Sequence, residues 1–177
     1  MPVGEFTNCY AYACDCWDPP NGRNGGALPG AFAGAQVTAE QGETAETYAN
    51  RLLLGIAKDV AANRLAYGSS LNVTASIDTG DGFLIAMLSN KVGFHFLRRG
   101  ANGFWSWKDG HPEKPASTTQ KVVGTNAGMA MPVSDIIFRE MVGDSKGSYI
   151  PAWPNMTFRC YVRITGATGM KVAGKSN

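Results

Sequence analysis

The sequence predicts an α+β fold in which the helices precede most of the strands. Between Thr44 and Tyr67 the apolar residues recur every three or four positions, as on an amphipathic helix, and after Gly68 they alternate, as in strands. Apolar residues make up 44% of the 177 residues and charged residues 17%, so the chain can bury a core. We therefore expect one domain over residues 1–177, with a C-terminal tail that is frayed from about residue 166.

The first predicted element is a short helix that begins after Asn8. Asparagine is a favoured N-cap residue, and the following residues, Cys9 to Ala13, are small or aromatic and can form one or two turns. Residues 18–36 contain repeated proline, glycine and asparagine, which predict a loop without regular structure.

The second predicted element is the long helix at 44–67. Its apolar stripe consists of Tyr48, Leu52, Leu53, Ile56, Val60 and Tyr67. The charged residues are expected mostly on the opposite, solvated face, and these are Arg51, Lys58, Asp59 and Arg64.

A run of strands is predicted after the long helix. We expect these strands to pair in sequence order as an antiparallel meander, over 72–77, 83–88, 92–98 and 104–108. A mixed region at 121–142 then precedes a last strand at 156–164.

Charge and hydropathy exclude two classes of partner. The chain has 16 lysines and arginines against 14 aspartates and glutamates, a net charge of +2, whereas nucleic-acid binding needs concentrated positive charge. The longest apolar run, 82–88, is much shorter than the ~18–20 residues of a membrane-spanning helix. The first residues also lack the cationic and apolar segments of a signal peptide. We expect no nucleic-acid partner, no membrane span and no signal peptide.

Three of the four cysteines are close together in the sequence, at Cys9, Cys14 and Cys16, and the fourth is Cys160. A disulfide framework spreads its cysteines over the chain, so some of these thiols are expected to be reduced. A zinc site is the alternative, but a single residue separates Cys14 from Cys16, whereas common zinc sites have two to four. We expect no metal and no cofactor.

Cys9 is the candidate nucleophile, because the start of a helix stabilises a thiolate. A thiolate nucleophile still needs a base, and the chain has two histidines, His95 and His111. On a strand, Phe94 and Phe96 point to one face and the His95 ring to the other, held on a stiff backbone. His111 lies in a predicted turn and is less constrained. We therefore expect His95 to be the base.

A catalytic histidine usually has a partner that fixes its tautomer. If the strands at 92–98 and 104–108 form a hairpin, positions near 107 lie opposite His95. Asp109 follows just beyond and is the expected orienting residue, with Asn126 as the alternative.

These residues resemble papain-like cysteine hydrolases, which include the NlpC/P60-type peptidoglycan amidases and several bacterial effector proteases. Asn8-Cys9-Tyr10-Ala11-Tyr12-Ala13 resembles their nucleophile helix, a second helix follows, and His95 matches their strand histidine. The stretch from His95 to Gly110 also resembles uncharacterised bacterial and phage proteins that begin with a similar Asn-Cys-Tyr-Ala-Tyr-Ala. The match is incomplete, because Tyr10 and Ala11 replace the glycine and serine that usually follow the amidase cysteine.

The resemblance implies a papain-like fold, with the nucleophile helix and the long helix packed on an antiparallel sheet. It implies a bacterial or phage enzyme that cleaves an amide bond, with peptidoglycan stem peptides as the leading substrate, and hence an antibacterial effector, a toxin, or a lysis factor. Such a protein would be made in the cytoplasm, leave by a specialised secretion system or phage lysis, and have an immunity protein as a further partner. Its catalytic residues would be Cys9, His95 and Asp109.

Two further interpretations remain open. A protease or deamidase of a host protein would use the same first chemical steps. Alternatively, Cys9 and His95 are structural residues, and the chain is a non-catalytic binding module. Its recognition surface would then be formed by Trp105 and Trp107, which alternate with Ser106 and share one face of a strand.

Overall fold

The computed structural model describes residues 7–16, 19–21, 26–67, 70–74, 82–99, 105–107, 121–123, 139–141, 149–151, 155–165 and 170–175. Within these ranges the chain forms the helices α1 (Cys9–Ala13) and α2 (Ala45–Tyr67). The strands are β1 (Ser70–Thr74), β2 (Phe83–Ser89), β3 (Phe94–Arg99), β4 (Trp105–Trp107), β5 (Lys121–Val123), β6 (Arg139–Met141), β7 (Tyr149–Pro151) and β8 (Thr157–Thr165). The fold is therefore α+β, as the sequence predicts.

Helix α1 begins where the sequence predicts it. Asn8 has an extended backbone, and its side-chain Oδ1 accepts a hydrogen bond from the Ala11 N–H at 3.1 Å, which caps the first turn. Every residue of α1 is buried. Asp15 follows the helix with a φ of 56°, and this left-handed conformation turns the chain away from the helix axis.

Helix α2 also matches its predicted bounds, and Tyr48, Leu52, Ile56 and Val60 form its buried stripe. The prediction for one charged residue is wrong, because Asp59 is completely buried. The helical period explains the difference: Asp59 is three residues after Ile56 and seven after Leu52, so it lies inside the apolar stripe.

The main sheet has six antiparallel strands in the order β1-β8-β2-β3-β4-β5, and β6 pairs with β7 separately. The predicted meander is confirmed from β2 to β4, and β5, which falls in the region predicted as mixed, pairs with β4. The predicted pairing of the first two strands is wrong, because β8 lies between β1 and β2. Strand β8 has nine residues, and its backbone groups are paired along both edges, with β1 on one side and β2 on the other.

The two faces of this sheet pack differently. One face contacts α1 and α2, and we call it the helix face; its residues are Phe83, Ile85, Met87, Phe94, Phe96, Cys160, Val162 and Ile164. The other, which we call the far face, carries the alternating residues, which are Leu84, Ala86, Leu88, His95, Leu97, Tyr161 and Arg163. The cross-strand register supports this division, because it pairs Met87 with Phe96 and Leu88 with His95.

The C-terminal segment 170–175 is part of the fold, so the prediction of a frayed tail is wrong for this segment. Met170 and Val172 are buried in the core below α1 and α2. Asn63 on α2 accepts a hydrogen bond from the Lys171 N–H at 2.8 Å and donates one to the Lys171 carbonyl at 2.9 Å. The segment is short and contains two lysines and a glycine, but its apolar side chains and its backbone both find partners in the tertiary structure.

Among the residues that the structure describes, no helix combines the length and the apolar character that crossing a membrane requires.

Candidate functional site

Cys9 is the first residue of α1, and α1 packs on the helix face of the sheet against β3. The Tyr10 ring contacts the Phe96 ring, with their centroids 5.1 Å apart. Cys9 is 8% exposed, whereas Cys14 at the other end of α1 is completely buried. Both residues are therefore buried, Cys9 less completely than Cys14.

The residue before Cys9 is fixed to a distant loop. The Asn8 side chain caps α1 with its oxygen, and its Nδ2 donates a hydrogen bond to the Ala27 carbonyl at 2.8 Å. Gly26 has a φ of 82°, and a Cβ at this position would lie 2.7 Å from Asn8 Nδ2. The loop can therefore approach Asn8 this closely because residue 26 is a glycine.

The residue after Cys9 is fixed to the same loop through Asp59. The Tyr10 hydroxyl donates to Asp59 Oδ2 at 2.9 Å, and the Gly30 N–H donates to the same oxygen at 2.8 Å. The Ala33 N–H donates to Asp59 Oδ1 at 3.1 Å. One carboxyl group of α2 therefore joins α1 to the loop, and its hydrogen bonds offset the cost of burying it.

The polar groups of this cluster share one electrostatic environment. Burial raises the pKa of Asp59, against the hydrogen bonds from Gly30 and Tyr10, which lower it. Burial also raises the pKa of Tyr10 well above its ordinary value, and the neighbouring Cys14 and Asp59 raise it further. The pKa of Cys14 is raised well above its ordinary value by burial and by Asp59, so Cys14 is a thiol and not a thiolate at neutral pH.

His95 lies on the far face of the sheet, and α1 lies on the helix face. The neighbouring Phe96 is the residue that contacts α1, and side chains alternate along a strand, so the His95 ring points to the opposite side. The ring is buried, at 6% exposure. The predicted alternation is therefore present, but the structure does not bring His95 to the face that carries Cys9.

The pKa of His95 also argues against a role as general base. Burial lowers the pKa of His95 to about 3, so the ring is neutral at physiological pH. An efficient general base has a pKa near the working pH, and a group with so low a pKa accepts a proton weakly. In the described structure His95 is thus a buried residue with a lowered pKa on the face opposite α1.

Several predicted residues lie outside the described part of the chain, and these are Asp109, its alternative Asn126, and the second histidine, His111. Trp105 and Trp107 belong to β4, where the register pairs Trp105 with Arg99, and the positions of their side chains are also outside the described structure. The expected roles of these residues stay predictions.

No disulfide joins the four cysteines in the described structure. In the same ranges no three cysteine, histidine or acidic side chains form a group that could hold a metal ion. Cys160 lies on β8, and burial raises its pKa to about 11.

The sequence interpretation missed Asp59 and Asn63. Both were indistinguishable from surface residues by type, but their spacing from the apolar stripe of α2 was a usable signal. Asn63 is four residues after Asp59, and its Nδ2 donates to the Asp59 carbonyl oxygen at 2.7 Å. Polar residues within an apolar stripe indicate a buried hydrogen-bond network.

Comparisons of the chain with protein-family models, with curated proteins and with solved structures found no match.

Proposed function

We propose that this protein is a cysteine-dependent amide hydrolase of papain-like fold, with Cys9 as the nucleophile. Peptidoglycan stem peptides are the leading substrate, as the resemblance of Asn8 to Ala13 to the amidase nucleophile helix implies. The proposed biological role is that of an antibacterial effector or a phage lysis factor, and an immunity protein is the proposed partner of such an effector.

The observation that carries the proposal is the position of Cys9. It is the first residue of a capped helix that packs on an inner strand of an antiparallel sheet, and a long helix follows it in the chain. Helix N-termini favour thiolates, because the helix dipole and the N–H groups of the first turn stabilise negative charge. Cys9 itself is buried, at 8% exposure, so alkylation of the native protein also tests whether a small reagent reaches this thiol.

His111 is the proposed base. The chain has two histidines, and His95 faces away from α1 and is weakly basic. A cysteine hydrolase that uses histidine therefore has His111 as its remaining candidate. Asp109 or Asn126 keeps its proposed role as the residue that orients the imidazole.

The proposed reaction has two stages. His111 takes the proton of the Cys9 thiol, the sulfur forms a bond to the amide carbonyl carbon, and the backbone N–H of Cys9 donates to the oxyanion. The carbon–nitrogen bond then breaks as His111 protonates the leaving amine. A water molecule, deprotonated by His111, hydrolyses the thioester and restores the thiol.

The first test is alkylation of the native protein with iodoacetamide at about pH 6, where a thiol with an ordinary pKa of about 8.5 barely reacts. Peptide mass spectrometry reports each cysteine separately. We expect selective labelling of Cys9, because Cys14 is completely buried and burial raises the pKa of Cys160 to about 11. These two cysteines are internal controls.

The two histidine variants identify the base. His111→Ala should slow the labelling of Cys9 at about pH 6 by about tenfold or more, because a thiolate–imidazolium pair is lost. His95→Ala should leave it within about twofold, unless the variant unfolds, which circular dichroism reports. Labelling of Cys9 no faster than that of Cys160 would overturn the assignment of Cys9 as the nucleophile. Loss of labelling in His95→Ala, but not in His111→Ala, would assign the role of base to His95.

The test of substrate class uses purified peptidoglycan and synthetic stem peptides, with products read by mass spectrometry. Cys9→Ser preserves the size of the side chain and should abolish cleavage. A host protein substrate would instead show cleavage or a one-dalton deamidation in a lysate and none in peptidoglycan.

The second candidate function is a binding module that uses Trp105 and Trp107. The formation of β4 at these residues favours it, since alternate positions of a strand share one face. Sedimentation with insoluble peptidoglycan tests this function. Retention of the wild type without any cleavage of the peptidoglycan, together with loss of retention in a Trp105→Ala, Trp107→Ala double variant, would favour binding without catalysis.

A further inference from the structure

The two sequence neighbours of Cys9 are attached to one loop, and this arrangement suggests a role for Asp59. Asn8 binds the loop at Ala27, and Tyr10 reaches it through Asp59, which holds the N–H of Gly30. We define the frame as the side chains of Asn8, Tyr10 and Asp59 together with the loop 26–33. The hydrogen bond from Tyr10 to Asp59 in this frame joins residues that are 49 positions apart in sequence.

The frame has little freedom to rearrange. Tyr10 and Asp59 are completely buried, and Asn8 is 7% exposed. The carboxylate of Asp59 uses both oxygens, Oδ2 for Tyr10 and Gly30, and Oδ1 for Ala33. Buried groups joined in this way hold a fixed geometry, because breaking one bond leaves a polar group without its partner in a low-dielectric interior.

We propose that Asp59 is a positioning residue for Cys9. Through the Tyr10 hydroxyl, Asp59 holds the first turn of α1 in a fixed position relative to the loop 26–33. This inference depends on the proposed nucleophile. A thiolate at a helix start is stabilised when the N–H groups of that first turn keep their direction, so the frame maintains the reactivity of Cys9 without touching a substrate. Asn8 supports the same turn from the other side of Cys9.

The charged and titratable groups around α1 in the described structure include those of the frame and several outside it. They are Tyr10, Tyr12, Cys14, Asp15 and Cys16 on or just after α1, Asp59 on α2, and Arg98 on β3. Substitutions for the test are therefore chosen to remove a hydrogen bond of the frame and to leave Asp15, Arg98 and the other thiols unchanged.

Tyr10→Phe is the first test variant. It removes the hydroxyl that binds Asp59 and keeps the ring that packs on Phe96. The measurement is the rate of iodoacetamide labelling of Cys9 as a function of pH. We expect the pH of half-maximal rate to rise by about one unit, which slows labelling about tenfold at pH values well below that midpoint.

Asp59→Asn is the second variant, and its effect should be at least as large. An amide has one acceptor oxygen, so it cannot accept from Tyr10 and Gly30 on one side and Ala33 on the other. The double variant Tyr10→Phe, Asp59→Asn should shift the pH of half-maximal rate no further than Asp59→Asn alone, because both substitutions break the same link.

Two controls separate positioning from a general loss of stability. Tyr48→Phe removes a hydroxyl from another buried tyrosine of the core, and Ile56→Val removes one buried methylene next to the same helix stripe. Both should lower the melting temperature to some extent and leave the labelling profile of Cys9 unchanged. If Ile56→Val shifts the profile as much as Tyr10→Phe, the effect is structural and the positioning role of Asp59 is overturned.

The outcomes also separate this inference from the proposed function. One outcome is that wild-type Cys9 is labelled rapidly at about pH 6 and that Tyr10→Phe and Asp59→Asn are labelled at the same rate. In that case Cys9 remains the proposed nucleophile, and Asp59 has no positioning role. If wild-type Cys9 is not labelled selectively, the assignment of Cys9 as the nucleophile is wrong, and the positioning role of Asp59 is wrong with it.

Discussion

The helix face and the far face of the sheet both bury polar residues, but in different arrangements. On the helix side, Asn8, Tyr10 and Asp59 are linked by hydrogen bonds that join α1, α2 and one loop. On the far side, His95 is buried on a strand between two aromatic residues that face the opposite way. The comparison teaches that a catalytic pair cannot be assembled from residue types and chain order alone, because a sheet can separate the two partners.

The largest expected effect tests this division directly with two adjacent residues of β3. Phe96 faces the helices and Leu97 the far side, and both are completely buried. Phe96→Ala should lower the free energy of unfolding by ~3–5 kcal/mol and Leu97→Ala by ~2–5 kcal/mol, measured by urea denaturation. Because the Phe96 ring packs on Tyr10, only Phe96→Ala should change the labelling rate of Cys9 in the folded protein. Equal changes in the two variants would break the assignment of faces.

A smaller effect is expected from acid, and it comes from the far face. Burial lowers the pKa of His95 from 6.5 to about 3, so between these values the unfolded chain binds a proton that the folded chain does not. The free energy of unfolding should therefore fall as the pH falls through this window, by at most about 1.4 kcal/mol per pH unit from this group.

Chemical denaturation at a series of pH values measures this slope, and His95→Gln provides the comparison because glutamine does not titrate. The variant should lose the part of the slope that His95 contributes. An unchanged slope in His95→Gln would mean that His95 has the same pKa in the folded and the unfolded protein, and would restore it as a candidate base.

The smallest effect concerns the far end of α1. Arg98 Nη1 lies 2.8 Å from Asp15 Oδ1, and both side chains are partly exposed, at 29% and 35%. Asp15→Asn should lower the free energy of unfolding by ~0.2–1 kcal/mol at low salt, and the difference should vanish near ~1 M salt. Asparagine tolerates the φ of 56° at this position, so the variant isolates the ion pair from backbone strain. A loss that persists at high salt would show that Asp15 supports α1 by another interaction.

The fold could be predicted from the sequence wherever a local period is strong. The capping by Asn8, the bounds of α2 and the strands β2, β3, β4 and β8 all agree with their predictions to within about two residues, within the usual uncertainty of element boundaries. Periodicity is a property of neighbouring residues, so it does not depend on the rest of the fold.

The order of strands could not be predicted in the same way. The sequence predicts that neighbouring strands pair, and β8 instead separates β1 from β2. The order of strands depends on which strand becomes central in the sheet. For β8 this is decided by the packing of the whole core and is not visible in its local sequence pattern.

The sequence by itself determined the two helices, the alternation of Phe94, His95 and Phe96, and the location of Cys9 at a helix start. Only the tertiary structure decided which side of the sheet the helices cover, and therefore that His95 lies away from Cys9 and that Asp59 lies beside Tyr10. The physical reason is that a period fixes the relative orientation of side chains within one element, whereas the packing of one element on another is decided by the burial of all of them together.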